Sequence, residues 1–432
     1  NICLLCFCFL NGGNEMKEFS RVVGYEDIKI ELYRIIDMMI NPDKYKKLGV
    51  KTTRGLLLVG NPGLGKTLMA NCMIDASKRK SYVIKRELPT NEFIAFIKDT
   101  FKEAKDNAPS IVLLDDIDKF GKDPRSEEFS TVQACIDSCN DSEVFFLATA
   151  NNENNLPDSL KREGRFDKTI YFDVPCSDDV GKIVEYYLSD KKCSSDLNYM
   201  EIAYLLNGDS CAALETILNE AGVYAGFDNR DEISMDDIVK AFMRKTYNAP
   251  EKLEFKDSAY FKELAYHEAG HAVVGEVLEK NSVLFVNIVP NNSATGGFVH
   301  LKNDDDYFKD KKFMENRAIS LLAGKAATEV VFGKTDTGAS YDISRANEIV
   351  RRFIADQCSY GFGFMSCAKG DNESGDLLNR TNIAVNLEME RYYQKAKQII
   401  IDNRDCLDRV AKELMDKRVL LSSDIQRLME VA

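Results

Sequence analysis

Between residues 19 and 175, short apolar runs alternate with stretches of helical period. Gly55-Leu56-Leu57-Leu58-Val59, Ile111-Val112-Leu113-Leu114 and residues 144–150 carry almost no polar position that could face water. Such runs predict strands buried on both faces, and the periodic stretches between them predict helices that cover a parallel sheet. Residues 68–77 predict one such helix directly after the first run. Residues 176–247 keep the helical period without a strong strand signal, which predicts a small helical lid. Asn248-Ala249-Pro250 interrupts the pattern and predicts a linker. Residues 251–432 are mostly helical in pattern. Residues 261–279 contain no proline and are apolar at Leu264, Ala265, Val273, Val274 and Val277. Residues 312–332, 343–356 and 382–402 predict further long helices. One strand pair is expected over residues 283–289 and 296–301, joined through Pro290-Asn291-Asn292-Ser293. The Met, Phe and Tyr residues of these helices read as core, and Asp304-Asp305-Asp306 as a solvated turn.

Composition narrows the class. A chain of 432 residues with 44% hydrophobic and 29% charged residues has an ordinary globular balance. The net charge of −13 argues against nonspecific nucleic-acid binding. The 12 cysteines are scattered, without paired C-x-x-C clusters, and read as reduced thiols of a cytoplasmic protein. Residues 1–18 form a tail whose apolar run, Ile2 to Leu10, is far shorter than a bilayer span. It reads either as the end of a membrane helix from a longer, membrane-anchored chain or as residues ahead of a natural start at Met16. The direct lead from Met16 into the first domain favours the second reading.

Two segments carry candidate chemistry. Gly60-Asn61-Pro62-Gly63-Leu64-Gly65-Lys66-Thr67 fits G-x-x-x-x-G-K-T between a buried strand and a helix. The glycines let backbone N–H groups curl around phosphates, Lys66 reaches the β- and γ-phosphates of ATP, and Thr67 holds Mg²⁺. The alternative is a glycine-rich turn with an incidental lysine. Asp115 and Asp116 end the Ile111 run, where a nucleotide hydrolase keeps its metal-binding carboxylate. Asp115 is expected at Mg²⁺, and Asp116 to polarise the attacking water. Asn151 ends the next run. Arg162 and Arg165 follow it, either as solvated charge or as groups that stabilise phosphoryl transfer in a neighbouring subunit. The second segment is His267-Glu268-Ala269-Gly270-His271, which holds two of only three histidines. Four residues apart on a helix, the imidazoles share a face and fit one Zn²⁺, with Glu268 as general base. The alternative is a surface helix with two ordinary histidines. The third, His300, lies in an alternating run and reads as a partly exposed strand residue, not a ligand.

In this order, the nucleotide segments resemble the AAA+ ATPases, and with the downstream His-Glu-Ala-Gly-His the chain resembles the FtsH family of ATP-dependent zinc proteases. The resemblance runs from about Phe19 to near the C-terminus. It includes Val23-Gly24, Lys47-Leu48-Gly49, Asn107-Ala108-Pro109, Gly164-Arg165-Phe166-Asp167 and Asn219-Glu220-Ala221. It implies an α/β AAA+ ATPase module, with a parallel sheet over residues 19–175 and a helical lid over 176–247. A mostly α-helical zinc metalloprotease domain over 251–432 follows. It also implies that Asn151 senses the γ-phosphate and that Arg162 and Arg165 act in trans. Thr337-Gly338-Ala339-Ser340-Tyr341-Asp342 matches the segment that supplies the third zinc ligand, so Asp342 is expected to complete the set of His267 and His271. The family also implies a homo-hexameric ring, polypeptide substrates and membrane helices ahead of the ATPase.

Three departures stand out. Asp116 replaces a glutamate and is one methylene shorter, which places its carboxylate about 1 Å farther from the water, a displacement able to cost on the order of 10²-fold. The pore-loop stretch, residues 87–92, has Leu88 but no aromatic, Phe93 being expected to start the next helix. Residues 121–130 lack the expected glycine-rich loop. The expected function is an ATP-dependent zinc endopeptidase that degrades polypeptides inside an oligomeric ring. The alternatives are a nucleotide-dependent remodeller or adaptor without proteolysis, and an ATP-gated peptidase with weak unfolding power.

Overall fold

The computed structural model describes residues 17–195, 197–249, 259–289, 296–302, 310–333, 339–355 and 375–430. The Asp304–Asp306 turn, the Pro290–Ser293 connection, Pro250, and Thr337 with Gly338 lie outside the described residues. Two compact units divide the chain, residues 1–238 and 239–432. Among the described residues, no helix is long and apolar enough to cross a membrane.

The first unit is built on five parallel strands: β1 (Gly55–Gly60), β2 (Lys80–Lys85), β3 (Ser110–Asp115), β4 (Val144–Ala150) and β5 (Lys168–Phe172). Their order is β2-β3-β4-β1-β5. Successive side chains on a strand point to opposite faces, and here both faces are apolar. Leu57, Val59, Val112, Leu114, Phe146 and Ala148 enter one core. Leu56, Leu58, Ile111, Leu113, Phe145 and Leu147 enter the other. Helices α1 (Glu26–Ile40), α2 (Pro42–Lys46), α3 (Lys66–Ser77), α4 (Thr90–Asp106) and α5 (Glu127–Ser138) surround the sheet. Leu32, Ile35, Met69 and Met73 cover one face; Phe93, Ile97, Phe129 and Val132 cover the other.

The apolar runs mark β1, β3 and β4 but not the two edges. In β2 only Ile84 is buried, and in β5 Tyr171 faces out between Ile170 and Phe172. A half-exposed edge strand has too few apolar positions to stand out. The stretch expected as a loop over residues 121–130 is shorter, because α5 already begins at Glu127.

Helices α6 (Ser177–Leu188), α7 (Tyr199–Leu205), α8 (Cys211–Phe227) and α9 (Met235–Tyr247) follow. Asn198 caps α7 by accepting from the N–H groups of Met200 and Glu201, and Ser210 caps α8 through Ala213. Among the described residues of this stretch, the only strand pairing is one parallel bridge, Cys193 with Ile233.

The second unit is led by α10 (Ala259–Leu278). Its strands β6 (Val283–Asn287) and β7 (Phe298–Leu301) form the strand pair expected over residues 283–289 and 296–301, and they run antiparallel. Then come α11 (Lys311–Phe332), α12 (Ser340–Ala355), α13 (Gly375–Asp402), α14 (Arg404–Lys417), β8 (Val419–Leu421) and α15 (Ser422–Glu430). β8 completes a sheet of order β7-β6-β8 and, at three residues, is too short to read from the sequence. Residues 265–276 of α10 are all buried, so the surface-helix alternative for the two histidines does not hold. The core around this helix is Ala265, Ala269, Val273, Ile319, Ala323, Ala327, Leu407 and Val410.

Candidate active sites

On α10, His267 and His271 lie one turn apart on the same face. The first turn of α12 brings up Asp342, 75 residues away in sequence. Asp342 Oδ2 lies 3.1 Å from His267 Nε2 and 3.3 Å from His271 Nε2, and the two Nε2 atoms are 3.1 Å apart. The ligand-capable atoms of these three residues all fall within 4.8 Å of one another. Four ligands placed tetrahedrally at zinc-ligand bond lengths stand about 3.3 Å apart, so the observed spacing is that of one small ion's coordination shell. The donor chemistry, two imidazoles and a carboxylate, also suits zinc.

The surroundings hold these donors in place. Nδ1 of His271 donates to the Ser320 carbonyl of α11 at 2.6 Å, which turns Nε2 toward Asp342. Gly324, one turn later on α11, lies against both rings. A Cβ there would fall 2.5 Å from Nε2 of each histidine, so only glycine fits. Glu268 is buried beside Gly297, where the chain enters β7. Burial pushes the Glu268 carboxyl up, partly offset by the two imidazoles. Burial also pushes His271 down, but the Asp342 carboxylate overrides it and lifts the imidazole to about 9. Asp342 is raised by burial and more than lowered again by His267 and His271, ending below the usual carboxylate range. A proton and a divalent cation compete for the same imidazole lone pairs, and this cluster is charged to attract either. His300 is elsewhere: its ring stacks on Phe285 at 5.3 Å.

The nucleotide segment is built from strand ends and backbone. Gly63 and Gly65 sit at φ 81° and 84°, a region that glycine enters without cost. Gly65 is followed by the first turn of α3, so the N–H groups of the loop converge at a helix N-terminus. Lys66 is buried, and its amine donates to the Gly60 and Asn61 carbonyls at 2.7 and 2.8 Å and to Asn151 Oδ1 at 2.9 Å. Burial pushes its ammonium down, against the pull of Asp116, Asp118 and Asp115. Thr67 Oγ1 donates to Asp115 Oδ1 at 2.9 Å, and Thr149 Oγ1 donates to the same oxygen at 2.8 Å. Asp116 is in the left-handed region, φ 53°. Its carboxylate pairs with Lys119 at 2.7 Å and accepts from Asn151 Nδ2 at 3.3 Å. Lys66, Thr67, Asp115, Asp116 and Asn151 thus form one cluster. Arg165 is engaged in its own chain, with Asp137 at 3.0 and 2.8 Å and the Ser159 carbonyl at 2.6 Å, while Arg162 is exposed.

Residues 56–174 match the ATPase family associated with various cellular activities (AAA), and residues 255–428 match peptidase family M41. The ATP-dependent zinc metalloprotease FtsH 2 of Petrotoga mobilis is 30% identical over 445 residues, covering 96% of this chain and 70% of its own length. The chain belongs to the FtsH family of ATP-dependent zinc metalloproteases. FtsH of Bacillus subtilis is 30% identical over 451 residues, 96% of this chain and 70% of its own. FtsH of Thermotoga maritima shows the same identity, over 96% of this chain and 73% of its own.

Within this FtsH-family chain, several residues were not singled out by sequence. Thr149 is a lone hydroxyl in an apolar strand, a signal in itself, and it joins Asp115 to the Asp116 backbone. Lys119 and Asp118 lie just past the strand end, in the 3₁₀ turn Ile117–Lys119, and engage Asp116 and the Asn151 N–H. Gly324 and Ser320 lie in the small-residue stretch of α11, which gives no sign of what it faces. Leu88 is exposed between β2 and α4, whereas Phe93 is fully buried in α4, edge-on to Phe120 at 5.0 Å.

Proposed function

We propose that this chain is an ATP-dependent zinc endopeptidase that cuts polypeptides inside a ring of identical subunits, six by family resemblance. The observation that carries the reading is the close approach of His267, His271 and Asp342, already at coordination spacing. His267, His271 and Asp342 would hold Zn²⁺, which supplies Lewis acidity toward water and the peptide carbonyl. Glu268 takes the proton of the attacking water and returns it to the leaving amine. Its burial makes it a stronger proton acceptor than an exposed glutamate. Among the described residues, β7 is an edge strand; it runs past Glu268 and suits an extended substrate that adds as a strand.

In the ATPase unit, Gly60, Asn61, Pro62, Gly63, Leu64 and Gly65 cradle the phosphates, and Lys66 neutralises them. Thr67 and Asp115 hold Mg²⁺, Asn151 senses the terminal phosphate, and Asp116 orients water. Arg162 and Arg165 serve the neighbouring subunit, Arg165 after exchanging its bond with Asp137.

The test is digestion of casein with and without ATP. Glu268→Gln should keep zinc and lose 10²- to 10⁴-fold in cleavage, the usual worth of a general base; retained cleavage rejects its role. Lys66→Ala should weaken ATP binding. A second reading, an ATP-gated peptidase with little unfolding power, is favoured by the Asp116–Lys119 pair and by the absence of an aromatic beside Leu88. Cleavage of casein but not of a stably folded tagged protein selects it. Zinc loading without any cleavage selects a remodeller.

A further inference from the structure

Beneath the C-terminal end of β7 lies a cavity of about 20 Å³, room for one water-sized group. Gly275, Ser282, Leu301, Phe313, Arg317 and Ser320 form its wall, and exposed Lys302 stands at its rim. It shares elements with the zinc-type cluster. Gly275 is one turn beyond His271 on α10. Ser320, whose carbonyl holds His271, is one turn beyond Arg317 on α11. Arg345, whose charge reaches Arg317, is one turn beyond Asp342 on α12.

Two groups in this wall are unsatisfied. Ser282 Oγ is enclosed and has no hydrogen-bond partner. Arg317 carries five N–H donors and makes no hydrogen bond or ion pair among the described residues. Burial pushes its guanidinium down and Arg345 adds to that; only Glu279 opposes them. Among the described residues around the cavity, Arg317 and Lys302 outnumber the one acid, Glu279, so their balance is positive. A half-buried cation that makes no direct ion pair is costly, and a carboxylate answers the guanidinium fork with two parallel bonds.

The place of the cavity says where such a carboxylate comes from. β7 runs from Gly297, against Glu268, to Leu301, on the cavity wall. At ~3.3 Å per residue, the four residue steps from Gly297 to Leu301 put the cavity about 13 Å along the edge from Glu268. A polypeptide paired to that edge would bring one of its own side chains over Arg317. We propose that Arg317, with Ser282, forms a subsite for the carboxylate side chain of an acidic substrate residue about four positions from the bond cut. This rests on the endopeptidase reading above.

The test uses the full chain carrying Glu268→Gln, with zinc added, and fluorescent peptides that differ only by Glu or Gln at one position, scanned along the sequence. Affinity is read as the Glu-to-Gln ratio, so each protein supplies its own reference. At one position the Glu peptide should bind at least roughly tenfold tighter, the worth of a charged hydrogen bond. Arg317→Gln should bring that ratio to about 1, and Arg317→Lys, which keeps the charge, should retain part of it. A ratio near 1 at every position overturns the proposal, as does a preference that survives Arg317→Gln. Formate that raises the Tm of the Arg317 protein but not of Arg317→Gln, without any Glu preference among peptides, assigns the cavity to a free anion and overturns the substrate role. Because binding is measured, the outcome stands apart from casein digestion: a zinc-loaded parent that cuts nothing defeats the endopeptidase reading while the ratio still decides the subsite.

Discussion

In the peptidase unit, two helices present three ligand atoms toward one point, and a third helix packs a glycine and a carbonyl against them. In the ATPase unit, the groups proposed to meet phosphate come from loop backbone and strand ends, and they bond to one another. Lys66 donates to two carbonyls of its own loop and to Asn151, and Asp116 is paired with Lys119. The first centre needs only to exchange protons for a cation. On the function proposed above, the second would have to open bonds within itself before Lys66 could reach phosphate or Asp116 could reach water. The difference is one of preorganisation: side chains fixed by packing lose little on binding, while self-satisfied polar groups give up bonds first.

The largest expected effect breaks the packed side of this comparison. Gly324→Ala adds a Cβ 2.5 Å from both Nε2 atoms, and helical backbone cannot retreat without moving α11 off α10. Zinc affinity should fall by 10²-fold or more, at least matching the loss of an outer hydrogen-bond partner, and casein cleavage should fall with it. Elemental analysis alongside circular dichroism separates metal loss from unfolding. If Gly324→Ala binds zinc as the parent does, the histidines are not held as described.

A smaller effect sharpens the other side. Asp116→Glu restores a methylene, and Lys119→Ala removes the ammonium that holds the shorter carboxylate. If self-pairing limits the ATPase, each change should raise the steady-state rate, up to about 10²-fold for the pair, with little change in ATP affinity. A rate that falls in both variants would show that Lys119 supports the chemistry instead of restraining Asp116.

How much of each centre is legible in the sequence follows from the same contrast. His267 and His271 are set by helix periodicity, so spacing alone suggests them; Lys66 and Thr67 are set by the order of glycines in a strand–loop–helix. Asp342 obeys no local rule, and only the family resemblance points to it. Gly324, Ser320, Thr149 and Lys119 take their roles from what tertiary packing places opposite them. The buried strands β1, β3 and β4 show as unbroken apolar runs. β2, β5 and β8 do not, because an edge or a three-residue strand needs few apolar positions. Arg165 was read by its place after β4, but its partner Asp137 lies on α5 and is invisible without the fold.

The smallest expected effect concerns acid. Asp237 accepts from Arg230 at 2.5 and 2.6 Å and from Ser234 N–H at 2.9 Å. Burial raises its carboxyl, but Arg230 and Ser234 outweigh this and bring it down to about 2. A carboxylate depressed in the folded state stabilises above its unfolded value, about 3.9, and loses that contribution as pH falls through the folded one. Asp237→Asn should therefore cost about 1 kcal/mol at pH 7. That difference should shrink between pH 4 and pH 2 in urea melts followed by circular dichroism. The zinc-type cluster gives the control: protons compete with a metal for its donors, and Asp237 is not among them, so Asp237→Asn should leave the pH at which zinc is released unchanged. A cost that stays the same at pH 2 would mean that Asp237 acts through packing and not through charge, and a shifted zinc release would mean that the two centres are coupled.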